Sequence, residues 1–458
     1  MGVVTAKQFQ VMDDKASRKV LVIGLGKTGL SCARYLARQG HQVAVTDDRL
    51  DPPGLPAVQD ELPDVALFLG RFDPDAFEHA EQIVVSPGVP LAQPLISAAR
   101  ERGVEIIGDI ELFARAVTAP VVAITGSNGK STVTTLVGEM ARAAGRNVKV
   151  GGNLGTPALD LLPADGIEPD LYVLELSSFQ LESTFTLAPR AAVILNISPD
   201  HLDRYAGLDD YAKAKQAIYR NAAVQVVNLD DAYAAQLADA KRPSVGFGVQ
   251  PPSFGNYGVR DFGTQAWLMR GDERLMLASE IRMAGRHNLS NALAALALGD
   301  AIGLPHKAMF ETLRTFGGLP HRTQWVAESK GVVWYNDSKG TNVGATLAAV
   351  LGMDRPVVLI AGGLGKGADF SMLHDALKGR VRALVLIGQD APQLEAALRG
   401  VAAIVRAESM ESAVKLAAEL AQPGDAVLLS PACASFDMFK GYDHRGDVFI
   451  DAVRRLLK

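Results

Sequence analysis

The chain has 458 residues, with 46 lysines and arginines against 51 aspartates and glutamates and a net charge of −5. That length exceeds one ordinary core and predicts roughly two to four domains, while the near balance of charge excludes a basic nucleic-acid footprint and an acidic tail. The two cysteines, Cys32 and Cys433, form neither a zinc spacing nor a disulfide framework, which suits a reducing cytosol. The mixed-charge stretch Met1 to Lys19 is unlike a secretory leader, and no apolar run reaches the length of a membrane span. Plentiful glycine and alanine between short Val/Ile/Leu runs predict parallel sheets flanked by helices.

Lys19 to Gly24 reads as a buried strand that runs into Gly24-Leu-Gly26-Lys-Thr-Gly29. A helix over 30–39 follows, closed by Gly40, and then a strand over 42–46 that ends in Asp47-Asp48-Arg49. A G-x-G-x-x-G turn with an acidic residue about twenty positions on is the pattern of an NAD site. It suits equally a Rossmann-like domain that holds a different nucleotide in the same crevice. A strand over 83–85 ends in Ser86-Pro87-Gly88-Val89-Pro90, a second glycine turn at the end of a strand where such sheets bind ligands. Pro52, Pro53, Pro56 and Pro63 mark the loops between.

The central stretch is Val121-Val-Ala-Ile-Thr-Gly126-Ser127-Asn128-Gly129-Lys130-Ser131-Thr132, with helix-forming residues from about Leu136 to Ala144. Strand, glycine turn and helix place backbone N–H groups and a helix N-terminus around a phosphate. Gly126 and Gly129 admit the anion, Lys130 brings positive charge, and Ser131 or Thr132 brings a hydroxyl for a metal. The loop is tighter than the common P-loop, which has four residues between its first glycine and Gly-Lys.

Gly151-Gly-Asn153-Leu-Gly155 reads as a loop, too glycine-rich for the interior of a strand or helix; Asn153 there suits a carboxylate or sugar contact, or a plain turn. Leu171 to Glu175 is a buried strand that ends in a carboxylate, the place for a metal-binding acid or for an acid facing solvent. The strand over 191–195 leads to His201 and Asp203 just beyond its end. On the helix over 208–221, Lys213 and Lys215 are expected to be solvated surface charges. A strand over 224–228 follows, and Asn288 or Ser290 is placed to cap an alanine-rich helix over 292–299. Gly317 to Pro320 is a break, followed by His321 and Arg322. Beyond it, strands over 332–335, 357–361, 384–387 and 426–429 each end in small or polar residues, among them Asp337, Lys339, Thr341, Lys366 and Ser435. That pattern predicts a second doubly wound sheet with its own crevice, in which Lys339 and Lys366 can hold anions.

Taken together, Thr125 to Thr132, Gly151 to Gly155, Glu175 to Glu182, Asp200 to Arg204, His287 to Asn291, Asn336 to Lys339 and Ser430 to Ser435 resemble the Mur ligases. These are the ATP-dependent, amide-forming enzymes of peptidoglycan synthesis, and the likeness is strongest to their D-glutamate-adding branch. The resemblance implies an α/β protein of three domains: a Rossmann-like UDP-binding domain at 1–109, a central P-loop-type ATPase domain at 110–318, and a Rossmann-like, doubly wound domain at 319–458. It implies that Thr28, Asp47, Arg49, Ser86, Pro87 and Gly88 contact the UDP portion of the substrate and Asn153 its muramoyl portion. It assigns the phosphate loop, Gly126 to Thr132, with Asn288, Asn291, Arg322 and Asp337, to ATP. It assigns Ser131 and Glu175 to one Mg²⁺, and His201 with Lys215 as a CO₂-derived carbamate to a second. It assigns Lys339, Thr341, Lys366, Ser435 and Tyr442 to D-glutamate, and Lys130, Glu175, His201 and Lys215 to the catalytic set.

The implied partners are UDP-N-acetylmuramoyl-L-alanine and D-glutamate, handled by a monomeric cytoplasmic enzyme with no nucleic acid and no membrane insertion. Three departures stand out. Leu364 replaces an expected aspartate, Gly340 replaces an alanine without expected consequence, and Tyr442 replaces a common phenylalanine. The extension before about Arg18 has no counterpart and is expected to be disordered. The diaminopimelate-adding relative would carry Asp-Asn-Pro-Arg, which is absent, and folylpolyglutamate synthase usually lacks the Gly-Lys-Ser-Thr form. An NAD-dependent oxidoreductase rests on Gly24 to Gly29 alone, and a non-catalytic nucleotide switch would not release phosphate with substrates.

Overall fold

A computed structural model of the chain describes residues 17–457 apart from 202, 203 and 284. The extreme N-terminal extension and Asp203 lie outside the described residues. Three α/β sheets follow one another along the chain. The first holds β1 (Lys19–Ile23), β2 (Gln42–Asp47), β3 (Ala66–Leu69), β4 (Gln82–Val85) and β5 (Glu105–Gly108), all parallel, in the order β3-β2-β1-β4-β5. Val20, Leu21, Val22 and Ile23 are all buried, as a strand covered by helices on both faces requires. The winding reverses at β1, so the loops after β1 and β4 part and leave a crevice at their C-terminal ends.

The second sheet is built on β6 (Val121–Thr125), β7 (Val148–Gly152), β8 (Leu171–Glu175), β9 (Ala191–Ile194), β10 (Gln225–Asn228) and β11 (Ser244–Phe247). It is extended by β12 (Tyr257–Phe262), β13 (Gln265–Arg270) and β14 (Glu273–Leu277). The nine strands run β14-β13-β12-β11-β10-β9-β6-β8-β7, so β6 lies at the switch point between β8 and β9. Strands β12 to β14 pair antiparallel, which the expectation of parallel sheets did not include. The third sheet has β15 (Gln324–Ser329), β16 (Val332–Asn336), β17 (Val357–Gly362), β18 (Val381–Ile387), β19 (Ala403–Arg406) and β20 (Ala426–Leu429), in the order β15-β16-β20-β17-β18-β19. Only its edge strand β15 is antiparallel.

Four local readings need correction. Helices begin earlier than their apolar pattern suggests, at Lys27, Lys130 and Arg286, because each starts directly out of a glycine, Gly26, Gly129 or Gly285. Asn288 and Ser290 are therefore inside the helix Arg286–Ala301, whose N-cap position is Gly285. Gly151 and Gly152 belong to β7, in register with Leu174 and Glu175. They are glycines because a Cβ at either would stand 2.4 Å from a backbone oxygen, of Thr156 or of Glu175. Lys213 is a surface charge as expected, with 72% of its side chain exposed, but Lys215 on the same helix is buried at 1%.

The first two sheets are tied together directly. Gly108 N donates to Ser183 O at 3.1 Å. Glu111 accepts from the amides of Phe185 and Thr186 at 2.7 and 2.9 Å. No helix among the described residues is long and apolar enough to cross a membrane.

Candidate active site

The crevice of the first sheet is a cavity of about 550 Å³. Thr28, Asp47, Arg49, Ser86, Pro87, Gly88 and Asn153 all line it, with Gln180 joining Asn153 from the second sheet. Gly24 has φ +88°, and a Cβ at Gly29 would stand 1.8 Å from Gly24 O, so the helix Lys27–Arg38 can pack on its own turn only with glycine there. Ser86 Oγ donates to Gly24 O at 2.9 Å and joins the two turns. In an NAD site the acid after the second strand is free to accept from a ribose. Here Asp47 Oδ2 accepts from Leu25 N at 2.7 Å and Arg49 Nη2 at 2.7 Å, and Oδ1 from Arg49 N and Nε at 2.9 and 2.8 Å. Burial alone would raise this carboxyl, but Arg49 and the two amides outweigh it and hold it at about 2. Asp47 thus shapes the Gly24 turn, and the oxidoreductase reading loses its ribose acceptor.

The phosphate loop follows β6. Gly129, at φ +82°, precedes the 14-residue helix Lys130–Ala143, which has no side-chain cap, so its first amides remain for an anion. Asn128 N donates to Asn196 Oδ1 at 2.7 Å and Asn196 Nδ2 returns a bond to Asn128 O at 3.0 Å. Ser127 Oγ contacts Tyr211 Oη at 3.2 Å. Lys130 Nζ lies back on its own loop, donating to Gly126 O and Ser127 O at 2.7 and 2.9 Å. Burial lowers its pKa, opposed by Glu175 and Asp200. Thr132 is buried beside Ser131.

Glu175 ends β8 beside this loop. Its Oε1 accepts from Asn153 Nδ2 at 2.7 Å, which links the first crevice to the second. Its Oε2 is buried and has no hydrogen-bond partner among the described residues. A buried carboxylate oxygen left open costs about 1–3 kcal/mol or more, so it calls for a cation or a donor from a ligand. With the Ser131 hydroxyl this is an oxygen donor set, which suits Mg²⁺. Lys215 Nζ donates to Gly126 O at 3.0 Å and stands 4.5 Å from the centre of the Tyr211 ring. Burial first, and then the charge of Lys130, push its amine well below the usual lysine value. His201 follows β9 with φ +53° and its ring 4.8 Å from that of Phe179.

The third sheet brings its loops to the same mouth. Arg322 Nη2 donates to Ser131 Oγ at 2.9 Å. Asn291 Nδ2 donates to Asn288 Oδ1 at 3.2 Å, and Asn291 Oδ1 sits 2.6 Å from where a Cβ on Gly129 would be. Asp337 accepts from Thr323 N at 3.0 Å and Ser430 Oγ at 2.7 Å, and burial lifts its carboxyl to about 6 against those bonds. Lys339 Nζ lies 3.9 Å over the ring of Tyr442. Burial lowers its pKa, and it feels the charges of Arg322, Glu175 and Lys130. Thr341 N bonds Lys339 O at 2.7 Å in the same turn.

Lys366, at φ +53°, is 6.0 Å from the ring of Phe436, next to the buried Ser435. Leu364 forms a backbone bridge with Ala434, while the carboxylate of Asp390 holds Gly365 N at 2.6 Å. Gly340 is not a neutral replacement: a Cβ there would stand 2.6 Å from Asp337 Oδ2 and 2.8 Å from Ser430 Oγ.

Sequence reasoning gave no individual role to several residues of this centre. Asn196 and Asp200 follow β9 just as Gly126 follows β6, and that shared position was the signal. His287, buried with Nδ1 unpartnered among the described residues and held near pKa 4 by burial, stands 3.4 Å from Thr323 Oγ1. Arg445 gave no signal. It is fully buried on the helix Tyr442–Leu456 and donates to Ser338 O at 2.8 Å, Ser338 Oγ at 3.0 Å and Cys433 O at 3.1 Å.

Comparison with known proteins gives this arrangement its family. Residues 18–108 match the Mur ligase MurD-like N-terminal domain, 124–299 the Mur ligase middle domain, and 321–433 the Mur ligase glutamate ligase domain. The chain belongs to the Mur ligase family. A relative from Nitrosococcus oceani, named UDP-N-acetylmuramoylalanine--D-glutamate ligase, is 57% identical over 439 residues, covering 95% of this chain and 96% of its own. One of the same name from Marinobacter nauticus is 53% identical over 444 residues, covering 96% and 99%. The MurF ligase from Thermotoga maritima, solved with ADP, shares the fold at TM-score 0.60 and 18% identity, covering 97% of this chain and 96% of its own. Mur ligases use ATP and Mg²⁺, and this Mur ligase presents both the anion loop and the open carboxylate oxygen that such ligands require.

Proposed function

We propose that this chain joins D-glutamate to UDP-N-acetylmuramoyl-L-alanine at the expense of ATP, through an acyl phosphate, releasing ADP and phosphate. The observation that carries this reading is the meeting of Lys130, the open oxygen of Glu175, Arg322 and Lys339 at one mouth, in a chain 57% identical to a protein named for that reaction. Residues 1–109 hold UDP, 110–318 hold ATP, and 319–458 close on ATP and D-glutamate, in a monomeric cytoplasmic enzyme.

A carboxylate is a poor electrophile, and phosphorylation gives it a leaving group. Two anions, the acceptor carboxylate and the γ-phosphate, must meet, so the protein's task is positioning and opposing charge. The uncapped amides at the start of Lys130–Ala143 hold phosphate, and Lys130 exchanges its two loop carbonyls for phosphate oxygens. Arg322, already at Ser131, brings further positive charge from the third sheet. Asn288, Asn291 and Asp337 take the remainder of the nucleotide. Ser131 with Glu175, and His201 with Lys215 as a carbamate, would hold Mg²⁺, which when bound would neutralise charge on the transferring phosphoryl group. Burial and the nearby charge of Lys130 favour the uncharged amine of Lys215; as that amine, Nζ adds to CO₂ and loses one proton, which makes it an anionic oxygen ligand.

Lys339, Thr341, Lys366, Ser435 and Tyr442 orient D-glutamate so that its neutral amine attacks the acyl carbon. The tetrahedral intermediate expels phosphate, and closure of the three domains excludes water. Incubation with ATP, Mg²⁺, UDP-N-acetylmuramoyl-L-alanine and D-glutamate, followed by mass spectrometry, tests the reading: a glutamyl adduct should form in step with ADP. ADP without adduct would overturn it.

A further inference from the structure

We propose that Arg204 is a positioning residue for the UDP-linked substrate: from behind the Ser86 to Pro90 turn it aims the Gly88 amide into the cleft and fastens that turn to the loop carrying His201. The proposal rests on the reading of the cleft as the UDP site.

Arg204 comes from the second sheet, three residues after His201, where Glu182 anchors it, yet its other side-chain hydrogen bonds cross to the first. Its Nη1 donates to Pro87 O at 2.7 Å, and its Nη2 donates to Val89 O at 3.3 Å and to Glu182 Oε2 at 2.8 Å. The guanidinium lies 4.1 Å over the Phe179 ring, and the second oxygen of Glu182 accepts from Tyr205 Oη at 2.5 Å. Only 11% of the Arg204 side chain is exposed. A planar fork with a carboxylate on one edge and an aromatic ring against its face has its remaining donors fixed in direction, and that direction is the turn. Bonds from a charged donor to carbonyls are stronger than neutral ones, so the turn is held firmly.

The consequence for the cleft follows from peptide geometry. The peptide between Pro87 and Gly88 is planar and trans, so a carbonyl held by Arg204 sends the Gly88 N–H the opposite way. Gly88 lines the cavity, and a Cβ there would meet nothing within 4 Å. Val89 N is already folded onto Ser86 O at 2.9 Å, and positions 87 and 90 are prolines with no amide hydrogen. The Gly88 N–H is therefore the donor this turn offers to an anion, and Arg204 fixes it without lining the cavity.

The test compares Arg204→Met and Arg204→Lys with the parent, by steady-state kinetics and by titration with UDP alone. Arg204→Met should raise KM for UDP-N-acetylmuramoyl-L-alanine on the order of 10–100-fold, as expected when a hydrogen bond to a charged group is lost. It should weaken UDP binding in parallel and leave KM for ATP within about twofold. Arg204→Lys, able to hold one carbonyl, should fall between. An unchanged KM for the UDP substrate, or equal rises in KM for ATP and the UDP substrate, would overturn the proposal. Should the methionine variant not fold, a lysine variant with parental UDP affinity would overturn it equally. A parent that releases no phosphate with this substrate defeats the proposed function instead, while the UDP titration still decides the role of Arg204.

Discussion

Asp109 gives the sharpest test of the electrostatics. It opens the helix Asp109–Ala116, between the first and second sheets, where Oδ2 accepts from Gln180 Nε2 at 2.8 Å and Oδ1 is buried without a hydrogen-bond partner among the described residues. Burial lifts its carboxyl from 3.8 to about 6, against the opposing pull of Gln180. A carboxyl raised in the folded state stabilises the fold in its neutral form. That contribution is complete below pH about 4 and is lost as the pH rises through about 6. A rise of roughly two units corresponds to about 3 kcal/mol of stability lost between those limits.

Asparagine keeps the shape and carries no charge. Asp109→Asn should therefore be more stable than the parent by up to about 3 kcal/mol near pH 7.5, with the advantage fading to nothing near pH 4. Urea unfolding of both proteins across that range reads the difference directly, and the parent-minus-variant subtraction removes other groups, such as Asp337, that titrate in the same window. A difference that does not vary with pH, or a variant less stable near neutrality, would refute the reasoning.

Three further outcomes are expected. Lys130→Ala should abolish turnover while the thermal transition persists, and near-normal activity would remove Lys130 from the chemistry. Lys215→Ala should lose activity that an added short-chain carboxylic acid partly restores, because the acid replaces the missing oxygen ligand; a fully active variant would contradict the carbamate. Arg445→Met leaves three buried acceptors without their charged donor, so it should destabilise the third sheet by about 3–5 kcal/mol and raise KM for D-glutamate, measured by thermal unfolding and kinetics.

Where apolar runs met glycine turns, as at β1, β6 and β17, strand and loop were legible in the sequence, because a buried parallel strand is apolar on both faces. The same logic failed for β12 to β14, whose alternating, half-exposed residues carry only a weak signal, and for the helix starts at Lys27, Lys130 and Arg286, where glycine conceals the first turn. Lys215 could not be distinguished from Lys213 by spacing, since burial depends on what the sheet places above the helix. Gly340 looked harmless because its constraint comes from Asp337 and Ser430, the latter 90 positions away. The partners of Asp109, Arg204 and Arg445 were not legible for the same reason: they lie on other elements, and no local pattern records a buried charge that is met by distant carbonyls or amides.

The most direct measurement is phosphate release from ATP and Mg²⁺ in the presence of UDP-N-acetylmuramoyl-L-alanine, comparing D-glutamate, L-glutamate, L-lysine and meso-diaminopimelate. The account predicts release with D-glutamate and only background with the other three. Release with a different amino acid would contradict the assigned substrate while retaining the acyl-phosphate chemistry, and no release with any of them would contradict the account at its centre.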